Sequence, residues 1–140
     1  MSTLKNDLLV SGVMMSLERI PVLGPLTIFK EGLETMNRKH LGIACIVDEK
    51  NTLLGILTDG DIRRMLLRVQ KPFSAFFVDD ALDHAISSPL TIAPNDTLAY
   101  AVSLMGEKGV WDLPVVTPDN VLVGLLHLHP AIEALLDMPA

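Results

Sequence analysis

The sequence predicts a mixed α+β fold made of two like halves, each running strand, helix, strand, strand, helix. The first observation behind this is a long internal repeat. Leu41-Gly42-Ile43-Ala44-Cys45-Ile46-Val47-Asp48, a polar turn and Leu53-Leu54-Gly55-Ile56-Leu57-Thr58-Asp59-Gly60-Asp61-Ile62 form the first copy. Val110-Trp111-Asp112-Leu113-Pro114-Val115-Val116-Thr117, a polar turn and Val121-Leu122-Val123-Gly124-Leu125-Leu126-His127-Leu128-His129-Pro130-Ala131-Ile132 form the second. Gly55 and Gly124 stand 69 positions apart (124 − 55), as do Met36 and Met105 (105 − 36), so one register runs through the preceding helix as well. The second observation is helical spacing upstream of each word. The third is turn chemistry inside it.

Taken in order, Leu26-Thr27-Ile28 and Leu90-Thr91-Ile92 read as the opening strands. Leu33, Met36 and His40 to Leu41 in one copy, and Leu98, Val102 and Met105 in the other, fall at helical spacing, with Asp96 in the N-cap place. Asp48-Glu49-Lys50-Asn51 and Thr117-Pro118-Asp119-Asn120 suit tight turns between paired strands. Closing helices are expected from Ile62 to about Leu67 and from Ala131 to about Leu136. The boundaries that follow are repeat 1 over 8–71, a linker over 72–80 and repeat 2 over 81–138.

The repeat order and its words resemble the CBS domain, and the whole chain resembles one tandem CBS pair, or Bateman module, with two repeats related by a pseudo-twofold. The resemblance rests on Gly55 to Asp61 in the first copy, and on Leu113-Pro114-Val115-Val116 with Gly124-Leu125-Leu126 in the second. Thr58 to Arg64 and Gly124 to His129 further resemble the C-terminal CBS pair of arabinose 5-phosphate isomerases of the Kdo pathway. A similar Thr-Asp-Gly-Asp word occurs in CBS pairs fused to sugar nucleotidyltransferases. The catalytic sugar isomerase domain of the resembled family has no counterpart in this sequence, which implies a non-catalytic chain.

Composition sets the limits. With 140 residues, 49% hydrophobic and 4% aromatic, the chain allows strands covered on both faces or a self-association surface. One cysteine, Cys45, excludes a disulfide framework or a cysteine-based zinc site. No signal pattern and no apolar run of about 20 residues appears, so a cytoplasmic protein without a membrane partner is expected. Met1 followed by Ser2-Thr3-Leu4 fits either a natural start or a piece of a longer isomerase. A net charge of −6 with small basic clusters at Arg63-Arg64 and Arg68 to Lys71 argues against nucleic acid. No Gly-x-Ser-x-Gly, phosphate loop or paired-carboxylate constellation is present.

Chemistry concentrates at Thr58-Asp59-Gly60-Asp61, where a strand end meets a helix start. A hydroxyl and a carboxylate three residues apart share a side there, beside unpaired helix N–H groups, and Gly60 admits close approach. Read alone, Thr and Asp at a helix start are capping residues. The family resemblance implies a nucleotide or nucleotide-sugar, an adenine nucleotide or a CMP-sugar, in the inter-repeat cleft, with Asp61 on ribose hydroxyls and Thr58 on the phosphate or ribose side. It adds Asp59, Gly60, Ile43 and Ala44, while Arg63 and Arg64 offer charge-assisted bonds to phosphate. No cofactor is required.

The second copy departs from this pattern, with His127 for Thr58 and Pro130 for Asp61. A proline at the first helical position is comfortable but cannot accept a ribose hydroxyl, so His127, His129 and Pro130 mark a degenerate second cleft. Two histidines also invite a metal reading, but lack companion ligands, and no metal is expected. Asp112 would oppose a polyphosphate, which favours a monophosphate or a nucleotide-sugar such as a CMP-sugar over ATP. Pro72 to Val78, with three of the four phenylalanines, reads as core filler or as a docking surface. Two functions follow: a sensor that regulates a sugar isomerase or other partner, or a homodimeric assembly module with a vestigial cleft.

Overall fold

A computed structural model describes residues 8–137. Met138, at the end of the expected second repeat, and the N-terminal residues searched for a signal lie outside that range. The first copy comprises β1 (Val22–Leu23), α1 (Phe29–Lys39), β2 (Ile43–Val47), β3 (Leu53–Thr58) and α2 (Asp59–Arg68). The second comprises α3 (Leu98–Lys108), β4 (Asp112–Val116), β5 (Leu122–His127) and α4 (Leu128–Leu136). The first residue of each element of the second copy stands 69 positions after its counterpart, as at Phe29 and Leu98 (98 − 29) or Asp59 and Leu128 (128 − 59).

The sequence repeats are not the packing units. Glu18–Pro89 forms one compact unit, and residues 8–17 join residues 90–137 in the other. Thus the expected linker 72–80 and the start of the expected second repeat pack with the first copy. In the Glu18–Pro89 unit, β2 is central, parallel to β1 and antiparallel to β3. Ile86 adds to the outer edge of β3, its amide donating to Ile56 O at 2.8 Å and its carbonyl accepting from Ile56 N–H at 3.0 Å. In the other unit β4 and β5 pair antiparallel, and the same edge of β5 is taken by Met15, through two bonds to Leu125 of 2.7 and 3.1 Å.

That edge explains the repeated glycines. A Cβ on Gly55 would lie 2.8 Å from Ile86 O, and one on Gly124 would lie 2.9 Å from Met15 O and 2.6 Å from Met14 Sδ. Each glycine is kept clear for a crossing backbone. Beneath the sheets, Phe29, Met36, Ala44, Ile46, Leu57, Met65, Phe76 and Ala81 form one core, and Val10, Leu98, Met105, Leu113, Val115 and Leu126 form the other.

Several local expectations shift. The opening strand of the first copy is Val22–Leu23, because Gly24 to Thr27 turn back on themselves: Thr27 N–H donates to Gly24 O, and Gly24 N–H donates to Thr27 Oγ1. Ile28 caps α1 and makes one bridge, to Asp80. The counterpart of Ile92, which pairs parallel with Val115, is therefore Leu23, which pairs parallel with Ile46. The N-cap of α3 is Thr97, whose hydroxyl accepts from Tyr100 N–H, while Asp96 accepts from Ala93 N–H in the preceding turn. The two closing helices begin three residues earlier than the apolar spacing alone shows. In the turns, Asp48 accepts from the N–H groups of Lys50 and Thr52, and Asn51 and Asn120 hold left-handed φ of 63° and 65°.

Candidate functional site

The Thr58 to Asp61 junction is a built hydrogen-bond net. Asp61 N–H donates to Thr58 Oγ1 at 3.1 Å, and the Thr58 hydroxyl donates to Asp61 Oδ2 at 2.7 Å. Arg64 Nη2 donates to Asp61 Oδ1 at 2.8 Å, with the Asp61 side chain 19% exposed and Arg64 58%. Arg64 also lies across Gly60, where a Cβ would come within 3.0 Å of its guanidinium. The hydroxyl, carboxylate and arginine named from sequence are therefore brought together, and they satisfy one another as a capped helix start. Arg63 is exposed, and Ile43 and Ala44 are buried in the sheet, so neither of those two side chains is open to a solute.

Asp59 takes another direction. Its N–H donates to Gly42 O at 3.0 Å, and its carboxylate folds against the bare Gly42 Cα, where a Cβ would meet Asp59 Oδ2 at 2.6 Å. There it borders a cavity of about 390 Å³ with Met36, Asn37, His40 and Leu41. Sequence reasoning named Asp59 as part of the Thr58 to Asp61 word but missed this cavity, because Asn37 and His40 belong to no recognisable word.

The second copy is wired differently at the same positions. Thr58 becomes His127, which makes no side-chain cap, and Asp61 becomes Pro130, which has no N–H for a cap to receive. Acceptor and donor are lost together, so the exchange leaves no orphaned group. Pro130 is the third residue of α4 and not the first as expected, because the helix starts at Leu128, but it still lies within the first turn where a missing N–H costs nothing. His127 instead faces Asp112 across the ladder, Nδ1 to Oδ1 at 2.7 Å. Both are largely buried, at 28% and 14% exposed, and burial pushes the Asp112 carboxyl above its ordinary 3.8 while the bond to His127 opposes the rise. Sequence reasoning missed this pair: counting evenly back from the turn would set Asp112 opposite Leu126, and a one-residue irregularity between Val115 and Val116 moves it opposite His127, as the one between Ile46 and Val47 sets Ile43 opposite Thr58.

His129 lies 3.6 Å from Glu133, apart from that pair, and no group of three or more metal-ligating side chains is assembled among the described residues. His84 sits edge-on to Phe29 and Phe76 and bonds Asp79 at 2.8 Å, while Lys71 bonds the same oxygen at 2.7 Å and covers the Phe76 ring. Phe76 is thus core, whereas Phe73 is exposed and packs edge-on to Phe77. No helix among the described residues is long and apolar enough to cross a membrane.

Comparison with known proteins fits this geometry. The CBS domain family profile matches residues 10–68 and again 78–136. The probable arabinose 5-phosphate isomerase of Haemophilus influenzae is 37% identical over 109 residues, covering 78% of this chain and 31% of that protein. The arabinose 5-phosphate isomerase KdsD of Yersinia pestis is 30% identical over 125 residues, covering 89% and 37%. The chain spans about a third of the length of the curated relatives it matches. Among solved structures, CBSX2 of Arabidopsis thaliana in complex with AMP superposes with a TM-score of 0.80 at 27% identity, over 92% of this chain and 96% of that one. The repeat, its register and these matches agree, and the chain belongs to the CBS domain family, carrying that domain twice.

Proposed function

We propose that this CBS pair is a non-catalytic regulatory module that binds a nucleotide or nucleotide-sugar beside Thr58 and Asp61, and that its occupancy controls an associated sugar-phosphate isomerase or other partner. The observation that carries the reading is the Thr58–Asp61–Arg64 net, present in the first copy alone: an oriented carboxylate for ribose hydroxyls, a hydroxyl, and a guanidinium within reach of phosphate. AMP in CBSX2 supports the ligand class, and the KdsD relatives support the partner class. A base is read by shape and backbone, so AMP, CMP and CMP-sugars stand together as candidates. A thermal-shift panel of these with ATP and S-adenosylmethionine tests the reading, since a ligand of the folded state raises the midpoint with its occupancy. A midpoint unmoved by every member of the panel counts against it.

A second reading has its own observation. Both oxygens of Asp61 are already engaged, one by Thr58 and one by Arg64, which suits a structural cap in an assembly module. Leu67 on α2 and Leu136 on α4 occupy matching register positions (136 − 67) and are 79% and 74% exposed, supporting a homodimer built on these helices. The two readings separate cleanly: the sensor binds nucleotide and self-associates, whereas the assembly module only self-associates. Monomeric sedimentation at high concentration would remove the dimer from both.

A further inference from the structure

We propose that the first copy carries a second small-molecule site, in the cavity of about 390 Å³ at the C-terminal end of α1, and that its ligand is an uncharged polyhydroxylated molecule of about monosaccharide size. The site goes beyond the nucleotide reading and does not rest on it. Its volume lies within the usual range of small-ligand pockets, roughly 300 to 1,000 Å³. One side is apolar, from Leu33, Met36 and Leu41, and the rim carries the Asn37 amide, the His40 imidazole and the Asp59 carboxylate.

The internal repeat supplies a control for what the fold itself requires. At the positions of Asn37, His40, Gly42 and Asp59, the second copy carries Gly106, Gly109, Trp111 and Leu128. The polar rim is therefore no demand of the architecture, and the bare Gly42 that borders the cavity stands where the second copy carries Trp111, 70% exposed. His40 adds an independent sign. It holds φ 58° and ψ 40° as the C-cap of α1, a left-handed conformation that the second copy gives to Gly109 at φ 66°. Glycine relieves that strain, and a side chain kept there at a cavity rim points to use of the side chain.

The ligand class follows from the charges. Asp59 and the negative end of α1 disfavour phosphate or carboxylate, while a single carboxylate among the lining residues, with one imidazole and one amide, falls short of the ligand set a bound metal ion needs. Neutral hydroxyls satisfy every group: they donate to Asp59 and exchange bonds with Asn37 and His40, while ring C–H surface lies on Leu33, Met36 and Leu41.

The test is amide NMR of the full chain titrated through the millimolar range with D-glucose, D-ribose, D-mannitol and myo-inositol, with D-glucose 6-phosphate as the charged comparison. Saturable shifts confined to residues 33–42 and Asp59 are expected for at least one neutral compound and absent for the phosphate. Gly42→Trp, which installs the residue the second copy carries, should abolish them. Asp59→Asn, which keeps the shape, should weaken binding about tenfold or more. No saturable shift with any neutral compound, shifts that survive both variants, or equal binding of the sugar phosphate at these residues would overturn the proposal.

Discussion

At the scale of single residues, the titrating groups make the sharpest predictions. Burial raises the Asp112 carboxyl above 3.8, so between that value and its native value the folded chain holds a proton that the unfolded chain has lost. Stability is therefore fullest below the ordinary value and falls as pH rises through the window. Asp112→Asn should remove this fall in denaturant titrations across pH, and His127→Ala, by deleting the opposing bond, should move the fall to higher pH. Asp79 has the opposite sign: hydrogen bonds first from Lys71 and then from His84 hold its carboxyl below the ordinary range, so its contribution is lost as pH falls through the native value. Lys71→Ala should move the Asp79 carboxyl resonance midpoint upward toward 3.8. Residue types at the site were legible, since Thr58 and Asp61 stood out as a word. Their mutual bonds, and the pairing of Asp112 with His127, were not, because the partners arrive through register and rotamer rather than adjacency.

At the scale of elements, helices and paired strands were readable from period and turn chemistry, while the opening strands were not. Leu26 to Ile28 has strand composition, yet the Gly24 to Thr27 turn claims those residues, and the 69-residue register points to Val22–Leu23 instead. The outer edges of β3 and β5 were invisible from sequence because Ile86 and Met15 contribute single bridges with no strand pattern of their own. Here Gly55→Ala and Gly124→Ala should each cost about 1 to 3 kcal/mol through backbone overlap. Hydrogen exchange should show the Ile56 and Ile86 amides losing protection together in the first variant, and the Met15 and Leu125 amides in the second. Unchanged protection would show that the edges tolerate a methyl group. In the cores, Leu57→Ala and its register partner Leu126→Ala should each lose about 2 to 5 kcal/mol in chemical denaturation, both side chains being wholly buried.

For the whole molecule, two copies were evident from the sequence, but the units they pack into were not. A repeat marks duplicated sequence, whereas a unit is set by which segments complete each sheet and core. Val10 belongs to the core of the second copy, and Phe76 and Ala81 to that of the first. A fragment spanning 18–89 should accordingly melt higher and resist protease better than one spanning 8–71, which lacks the Phe76, Ala81 and Ile86 contributions to the same sheet and core. The central claim is that only the first copy keeps a working nucleotide site, and calorimetric titration of the full chain with the best ligand of the nucleotide panel tests it most directly. One ligand per chain is predicted, with affinity reduced roughly 10- to 150-fold in Asp61→Ala for the loss of a charged acceptor worth about 1.5 to 3 kcal/mol. Two equivalent sites, or undiminished binding by Asp61→Ala, would contradict the account.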